Sequence, residues 1–314
     1  MQIIRILNSH EVSDIQWKHL VELFIEYHQF YKQNTKFSIA SSYLSKRLES
    51  GQSFCLLAID NQEVQGFIQI YPIISCYDDK SGWILYDLFV CPAARGKKIA
   101  NLLLDAAKTY AIEAHVDYIQ LTTAYDNNIA QACYISHGYQ VDNHHAYYTL
   151  NLNERILSMQ SAEVDLIVNT QDLEKCTSTI KIAHPQLNLA IVKSELLSNK
   201  LVIFVKNDEQ NLPNILFATV SFCSLQMKPI WHIHMICNSE TEAVPLLAKA
   251  IEYAKDINIA EINIKLNKNM SEMTKLLEKF AFKTTDQWVQ YILPICNTRR
   301  CLLILSVNPL MNTA

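Results

Sequence analysis

The sequence predicts an α/β protein built from two similar domains, each with a mixed sheet and flanking helices. The chain has 314 residues, which suits two domains of roughly 150. Short runs rich in β-branched and aromatic residues alternate with amphipathic helical segments, and this order occurs twice. Only five glycines are present, which excludes the glycine-rich loops of Rossmann and P-loop nucleotide-binding proteins.

The composition is typical of a globular protein that binds neither nucleic acid nor a membrane. Half of the residues are hydrophobic and 18% are charged, which is enough apolar material for a sizeable core. The net charge of −4 argues against a nucleic-acid partner, and no apolar run approaches the length of a membrane span. Nine cysteines lack any C-x-x-C pair, and the N-terminus does not resemble a signal peptide. We therefore expect a reduced, cytoplasmic protein.

The first half begins with a strand at residues 2–7 and a helix from Trp17 to Tyr31. Ser13 and Asp14 precede this helix as candidate N-caps, and its apolar residues recur every three or four positions. A short helix and then two β-rich runs joined by a polar hairpin turn follow, at residues 41–49, 54–60 and 64–74.

Strands and amphipathic helices alternate through the rest of this half. Residues 83–90 read as a strand, and residues 99–110 place their apolar side chains on one helical face. Gly138 marks the end of the next helix. The remaining elements are a strand at 118–123, a helix at 129–136 and a last strand at 147–152.

The second half repeats this order with equal offsets on either side of a single four-residue deletion, which indicates an internal duplication. Residues 55–60 map onto residues 202–207 with an offset of 147, whereas residues 118–123 map onto residues 261–266 with an offset of 143. Its predicted strands lie at 165–168, 201–206, 215–222, 230–237, 261–266 and 288–293, with helices before Ser198 and at 244–255 and 271–279. The predicted domains are 1–152 and 163–314, joined by a linker near 152–162.

A cationic cluster at the start of the helix after the fourth strand is a candidate anion site. Arg95, Gly96, Lys97 and Lys98 lie where free backbone N–H groups and the positive helix end favour negative charge. This is the only dense cationic cluster of an otherwise acidic half. A solvated, charged helix cap is the alternative interpretation.

A second motif follows the next strand and, with the first, resembles a known family. The pattern N-x-x-A-x-x-x-Y-x-x-x-G-[F/Y] is met by Asn127, Ala130, Tyr134, Gly138 and Tyr139. Together with Arg95-x-x-Lys98-x-Ala100, it resembles the GNAT superfamily of acyl-CoA-dependent N-acetyltransferases. The resemblance covers residues 1–152 and implies a largely antiparallel mixed sheet flanked by helices.

The resemblance implies that the first half transfers an acetyl group from acetyl-CoA to a primary amine by direct attack. The splayed end of the fourth strand, at Phe89 and Val90, would present backbone groups to the acyl carbonyl and the pantetheine arm. The pyrophosphate loop and the second motif would complete the cofactor site through Arg95, Gly96, Lys97, Lys98, Ile99, Ala100, Asn127 and Tyr134. No metal is expected, because His232-x-His234 with Cys237 has no fourth ligand at a typical spacing.

The resemblance also assigns the two proton-transfer roles. Tyr134 is positioned like the family's general acid, which protonates the departing thiolate. Asp87, on the fourth strand, is the candidate base that removes a proton from the ammonium ion, directly or through water. A core aromatic at Tyr134 and a salt-bridged strand residue at Asp87 are the structural alternatives.

Lys98 departs from the family pattern, which has glycine at that position. A Cβ there would hinder close approach of the pyrophosphate, whereas the lysine charge would partly compensate. The departure leaves open a non-catalytic module that senses acyl-CoA or docks a protein. Small amines and protein amines both remain candidate acceptors, and tandem copies also resemble bacterial proteins that modify partner proteins.

The second half keeps the pattern of the fold without the site. Its loop carries Glu240 and Glu242 where the first half is cationic, and carboxylates would repel a pyrophosphate. The equivalents of Asn127, Tyr134 and Gly138 are Met270, Leu277 and Ala281. We interpret this half as a degenerate domain that serves packing, substrate contact or recognition of a protein partner.

Overall fold

A computed structural model describes residues 1–74, 80–153, 164–183, 187–207, 213–237, 239–284 and 288–295. It contains two mixed sheets of seven strands, each flanked by helices, which confirms the predicted fold class. Most of the expected linker and the tail after Ile295 lie outside the described residues. Within the described chain, no helix has the length and apolar character needed to cross a membrane.

The first unit comprises the described residues of 1–74, 80–141 and 289–295. Its strands are β1 (Gln2–Ile6), β2 (Phe54–Asp60), β3 (Glu63–Ile74), β4 (Ser81–Val90), β5 (Tyr118–Ala124), β6 (Gln140–Val141) and, from the far end of the chain, β14 (Trp288–Pro294). Its helices are α1 (Asp14–Phe30), α2 (Phe37–Glu49), α3 (Ile99–Glu113) and α4 (Asn128–Ser136). The sheet order is β1-β2-β3-β4-β5-β14-β6, with β4 and β5 parallel.

The second unit covers most of residues 142–288 and has the same architecture. Its strands are β7 (His145–Asn151), β8 (Asp165–Ile167), β9 (Leu201–Lys206), β10 (Asn214–Cys223), β11 (Lys228–Ile236), β12 (Glu261–Asn267) and β13 (Lys283–Thr284). Its helices are α5 (Thr170–Ala183), α6 (Leu189–Leu197), α7 (Glu240–Asp256) and α8 (Ser271–Lys279). The sheet order, β13-β7-β12-β11-β10-β9-β8, matches that of the first unit strand for strand.

The two halves of the sequence exchange their last long strands. β7 lies between β12 and β13 of the second sheet, and β14 lies between β5 and β6 of the first. The units therefore differ from contiguous domains at 1–152 and 163–314. The two strands have the same burial pattern: Tyr148 and Leu150 of β7 alternate with more exposed residues, and so do Tyr291 and Leu293 of β14. Each strand therefore suits either sheet.

Local signals set the helix that borders the site. α1 begins at Asp14 because Ser13 and Gln16 form a capping box, in which the Ser13 hydroxyl accepts from the Gln16 N–H at 3.3 Å. The Gln16 side chain in turn accepts from the Ser13 N–H at 3.1 Å. One face of α1 is buried through Leu20, Phe24 and Tyr27. The helix thus packs onto one face of the first sheet, while α3 and α4 pack into the core of the other face.

Candidate active site

An opening between β4 and β5 is the main feature of the first sheet. The two strands pair only from Gly82 to Leu85, and the described remainder of β4 pairs with β3 alone. The Cys91 N–H donates to the Gln65 carbonyl on β3 at 2.9 Å. Because the polar groups of a strand residue alternate in direction along the strand, the N–H and C=O of Val90 face away from β3, into the opening.

A β-bulge at Tyr86 decides which face of the sheet carries Asp87. The pairing with β3 steps from Leu85 to Asp87 and skips Tyr86. Side-chain alternation is therefore reversed beyond the bulge. Leu88 and Val90 join Trp83 and Leu85 in the core next to α3, and Asp87 lies on the opposite face, toward α1. Without the bulge, the carboxylate would point into the α3 side of the core.

Asp87 is fully buried at the end of a short polar row that runs across three strands. Gln69 lies opposite it on β3, and Cys55 lies opposite Gln69 on β2. Gln69 donates its amide to the Ser53 hydroxyl at 2.9 Å. After burial itself, the negative charge of Asp87 is the next cause that raises the pKa of the Cys55 thiol. Because this row is buried, the negative charge of Asp87 acts strongly on the groups next to it.

Tyr134 lies on the other side of the sheet, in the α3 core, with 8% of its surface exposed. Its ring centroid is 5.9 Å from that of Tyr139 and 5.8 Å from that of Tyr291. Burial, followed by its neighbours Cys133, Tyr31 and Tyr291, raises the pKa of Tyr134 well above its ordinary value. The hydroxyl therefore holds its proton at neutral pH, as a proton donor must.

Tyr31 interacts electrostatically with both candidate groups, Asp87 and Tyr134, and no sequence motif identifies it. It ends α1 and is half-buried. Burial first, then the negative charges of Asp87 and Asp126, raises the pKa of Tyr31, and Tyr31 itself contributes to the raised pKa of Tyr134. Its position follows from the length of α1 and the bulge in β4 together, so no local sequence signal marks it.

The start of α3 has the backbone geometry of an anion site. Lys98 is its N-cap residue with φ +60°, ψ +22°, and Gly96 has φ +81°. Both therefore adopt the left-handed region that glycine favours. The Lys98 side chain makes no capping hydrogen bond, and the first N–H groups of a helix have no intrahelical partner. Lys97 and Lys98 are exposed beside these amides.

Arg95 folds back toward the opening. Its Nε donates to the Val90 carbonyl at 3.3 Å, and its guanidinium carbon lies 5.5 Å from the centroid of the buried Phe89 ring. Ile99, by contrast, is 2% exposed in the core, so only its backbone amide is available to a ligand. Ala100 is half-buried in the first turn of α3.

Asn127 has a structural role in the second motif. It is the N-cap of α4, and its Oδ1 accepts from the Ala130 N–H at 3.2 Å. This explains the spacing of asparagine and alanine, because the cap bonds the third residue of the helix. Gly138 ends the motif with φ +87°.

The equivalent positions of the second unit are organised differently. Ser239 caps α7 by accepting from the Glu242 N–H at 3.4 Å, and the Glu242 carboxylate pairs with Lys206. Carboxylates thus occupy the helix end that is cationic in the first unit. Leu277, which replaces Tyr134, is fully buried. Among the described residues of both units, no group of three or more His, Cys, Asp or Glu side chains is arranged to hold a metal ion.

Comparison with known proteins identifies the family of the first half of the sequence. The sequence pattern of the acetyltransferase (GNAT) family matches residues 17–139. An uncharacterized N-acetyltransferase of Bacillus subtilis (strain 168), YhfO, is 38% identical over 133 residues, which are 42% of this chain and 89% of that protein. A probable acetyltransferase of Haemophilus influenzae is 30% identical over 92 residues, which are 29% of this chain and 63% of that protein.

Solved structures match both units together. A GCN5-related N-acetyltransferase from Sphaerobacter thermophilus superposes with a TM-score of 0.58 at 11% identity, covering 94% of this chain and 96% of that one. A tandem GNAT protein from the clavulanic acid biosynthesis pathway gives 0.56 at 11% identity, covering 94% and 99%. At this identity the likeness concerns the fold: two tandem units of this architecture occur in other proteins.

Proposed function

The chain belongs to the acetyltransferase (GNAT) family, and we propose that its first unit transfers an acetyl group from acetyl-CoA to a primary amine. The observation that carries this proposal is the opening between β4 and β5, with Asp87 on one face of the sheet and Tyr134 on the other. A thioester held in the opening would have a proton acceptor and a proton donor on opposite sides. Direct attack of an amine uses a proton acceptor near the nitrogen and a proton donor near the departing sulfur.

The start of α3 supports binding of the acetyl-CoA pyrophosphate. Left-handed residues at Gly96 and Lys98 expose the first amides of the helix, and Arg95, Lys97 and Lys98 add positive charge. The Val90 N–H faces the opening and would donate to the thioester carbonyl oxygen, where negative charge develops. Phe89 would contribute through its backbone groups on β4, and Asn127 would contribute by capping α4.

The proposed reaction is a direct transfer without a covalent enzyme intermediate. Asp87 takes a proton from the acceptor ammonium ion, directly or through water, and the free amine forms a C–N bond to the carbonyl carbon. As the C–S bond breaks, Tyr134 donates its proton to the departing thiolate, and the nitrogen releases its second proton, which restores the Tyr134 phenol directly or through solvent. The Gln69 Oε1, which has no hydrogen-bond partner in the described chain, lies opposite Asp87 and would accept from the amine or the water.

We propose that the acceptor is either a small amine or an amine of a protein. We also propose that the protein acts in the cytoplasm. The acidic balance of the first half, with a buried carboxylate in its site, favours a cation as acceptor. The six cysteines of the described chain are free thiols, in keeping with a reducing compartment. The second unit would contribute a surface for a protein partner rather than a second reaction site.

One alternative is supported by a specific observation. Lys98 places a Cβ where the family has glycine, and a pyrophosphate displaced by it would hold the thioester away from Asp87 and Tyr134, so that acyl-CoA would bind without being turned over. In that case acetyl-CoA would stabilise the protein, but no amine would release free CoA. A protein-modifying acetyltransferase is distinguished by the acceptor alone.

The test measures thermal stabilisation by acetyl-CoA and then CoA thiol release with a panel of small amines and lysine peptides. We expect Asp87→Asn to lower kcat by about 10²–10⁴-fold, with partial recovery as rising pH increases the fraction of free amine. Tyr134→Phe should lower kcat while acetyl-CoA still raises Tm. Tyr148→Phe, in the second unit, is the matched control and should leave kcat unchanged.

The absence of any acetyl-CoA-dependent change in Tm would overturn the proposal. Stabilisation without turnover on any amine, unaffected by Tyr134→Phe, would establish the non-catalytic alternative instead. Turnover restricted to lysine peptides would identify a protein-modifying enzyme.

A further inference from the structure

Tyr291 enters the first unit from the end of the second half of the sequence. It lies on β14 and is 1% exposed, inside the core that holds Tyr134. Its hydroxyl donates to the Gln131 Oε1 on α4 at 3.2 Å. A side chain 157 positions after Tyr134 therefore contacts the helix that carries it.

Gln131 links the Tyr291 hydroxyl to the loop between β5 and α4. Its Nε2 donates to the Ala124 carbonyl at 3.1 Å and to the Tyr125 carbonyl at 2.7 Å. That loop continues into Asn127, which caps α4. The Tyr291 hydroxyl thus orients the amide that fixes the loop to the helix, three residues from Tyr134.

The duplication supplies a built-in comparison. In the second unit, Tyr148 is the equivalent of Tyr291, and its hydroxyl lies 3.1 Å from the Thr274 Oγ1 on α8. Thr274 is in turn the equivalent of Gln131, at the same offset of 143. The Thr274 hydroxyl in turn donates to the Met270 carbonyl at 3.2 Å, one turn back along the chain, and in the described residues it does not bond Asn267 or Lys268, the equivalents of Ala124 and Tyr125. The strand-to-helix contact is therefore shared by both units, whereas its extension to the loop belongs to the first.

We propose that Tyr291 is a positioning residue for Tyr134, and that it acts through Gln131 and the loop of residues 124–127. This inference rests on the proposed function, in which Tyr134 is the proton donor. It makes the second half of the sequence a contributor to the site, although that half has no such site of its own. The ring of Tyr291, 5.8 Å from that of Tyr134, also helps to keep water from it.

The experiment compares Tyr291→Phe with Tyr148→Phe in the full chain, since each variant removes one hydroxyl from an equivalent strand. We expect Tyr291→Phe to lower kcat about fivefold, the effect of one buried hydrogen bond, with the KM for acetyl-CoA unchanged. Tyr148→Phe should change neither constant. In a Tyr134→Phe background, Tyr291→Phe should have no further effect on kcat, because the group that it positions is gone.

Amide hydrogen exchange tests the same inference without turnover. Tyr291→Phe should speed exchange across residues 124–131 about fivefold, whereas Tyr148→Phe should leave exchange unchanged at the equivalent loop, residues 267–270, because its contact does not extend there. Unchanged exchange at 124–131, or an equal loss of kcat in both variants, would overturn the positioning role. A wild-type protein without turnover would refute the proposed function, while the exchange result would still decide whether Tyr291 orders the loop.

Discussion

A Cβ atom added to Gly66 would lie 2.9 Å from the carbonyl oxygen of Phe89 and 3.3 Å from the Ile99 Cγ2. Gly66 lies on β3 directly opposite Val90, the last residue of β4. Glycine at this position therefore lets β4 end close to the start of α3. The residues in this contact, Phe89 and Ile99, lie beside the opening of the sheet and at the first turn of α3.

Gly66→Ala should lower stability by about 1–3 kcal/mol, because backbone and packed side chains must shift. It should also weaken acetyl-CoA binding, since the end of β4 moves with them. Gly51→Ala is the control: Gly51 has φ +64° with open space around it, so alanine there strains the backbone away from the opening. Thermal unfolding and acetyl-CoA titration would measure both effects. An equal loss of affinity in the two variants would mean that binding only follows stability.

Lys98→Gly should raise the stability of the first unit. A left-handed φ costs a non-glycine residue about 1–2 kcal/mol, which exceeds the entropy cost of glycine. Lys97→Gly is the matched change, because it removes the same charge from a residue without a positive φ. Lys98→Gly should also bind acetyl-CoA more tightly than Lys97→Gly does, since only it removes a Cβ from the loop. Tighter binding by Lys97→Gly would show that the Lys98 Cβ does not hinder the ligand.

Tyr139→Phe should leave stability unchanged or raise it. The Tyr139 hydroxyl is buried without a hydrogen-bond partner in the described chain, and burial raises the pKa of this phenol. Removing an unsatisfied polar group from a core removes its desolvation cost. Tyr148→Phe provides the contrast, because its hydroxyl is bonded and its loss should cost about 1 kcal/mol. Urea unfolding of the two variants would show the difference in sign.

Stability should fall with acidification because of His28. This side chain is fully buried, with its Nδ1 2.7 Å from the Thr35 Oγ1, and burial lowers the pKa of His28 from 6.5 to about 4. The unfolded chain therefore binds the proton first, so stability is lost as pH falls from about 6.5 toward 4, by at most about 1.4 kcal/mol per pH unit.

His28→Gln should reduce this slope, and His10→Gln, at an exposed position, should not. His232 in the second unit also has its pKa lowered to about 4 by burial, so a variant lacking both buried histidines should be the least sensitive to acid. An unchanged slope in that double variant would refute the assignment.

Much of the fold could be predicted from the sequence because its local signals are strong. The structure has the predicted bounds for the strands at 54–60 and 201–206 and for the helix at 271–279. The repeated order of elements also predicts two sheets with the same strand order. The exchange of β7 and β14 could not be predicted, because Tyr148 and Tyr291 occur in the same pattern. Periodicity tells which residues of a strand are buried but not which sheet buries them.

The candidate site shows the same limit. Its motif positions were assigned by spacing, which depends on helix caps such as Asn127. The face of the sheet that carries Asp87 depends on the bulge at Tyr86, and a bulge leaves no pattern in a single sequence. Tyr31 reaches the site through tertiary packing alone.

Because the two strands are exchanged, the two halves of the chain are difficult to separate. A cut between residues 153 and 164 would give two fragments, each carrying the strand that fills the other's sheet. Unless β7 and β14 each refolded into the sheet of their own half, a gap with exposed strand edges would remain in each fragment and would favour aggregation. Deleting the second copy would likewise remove Tyr291 from beside Tyr134. The second half of the sequence thus contributes β14 to the first sheet, and that sheet is complete only when both halves of the chain are present.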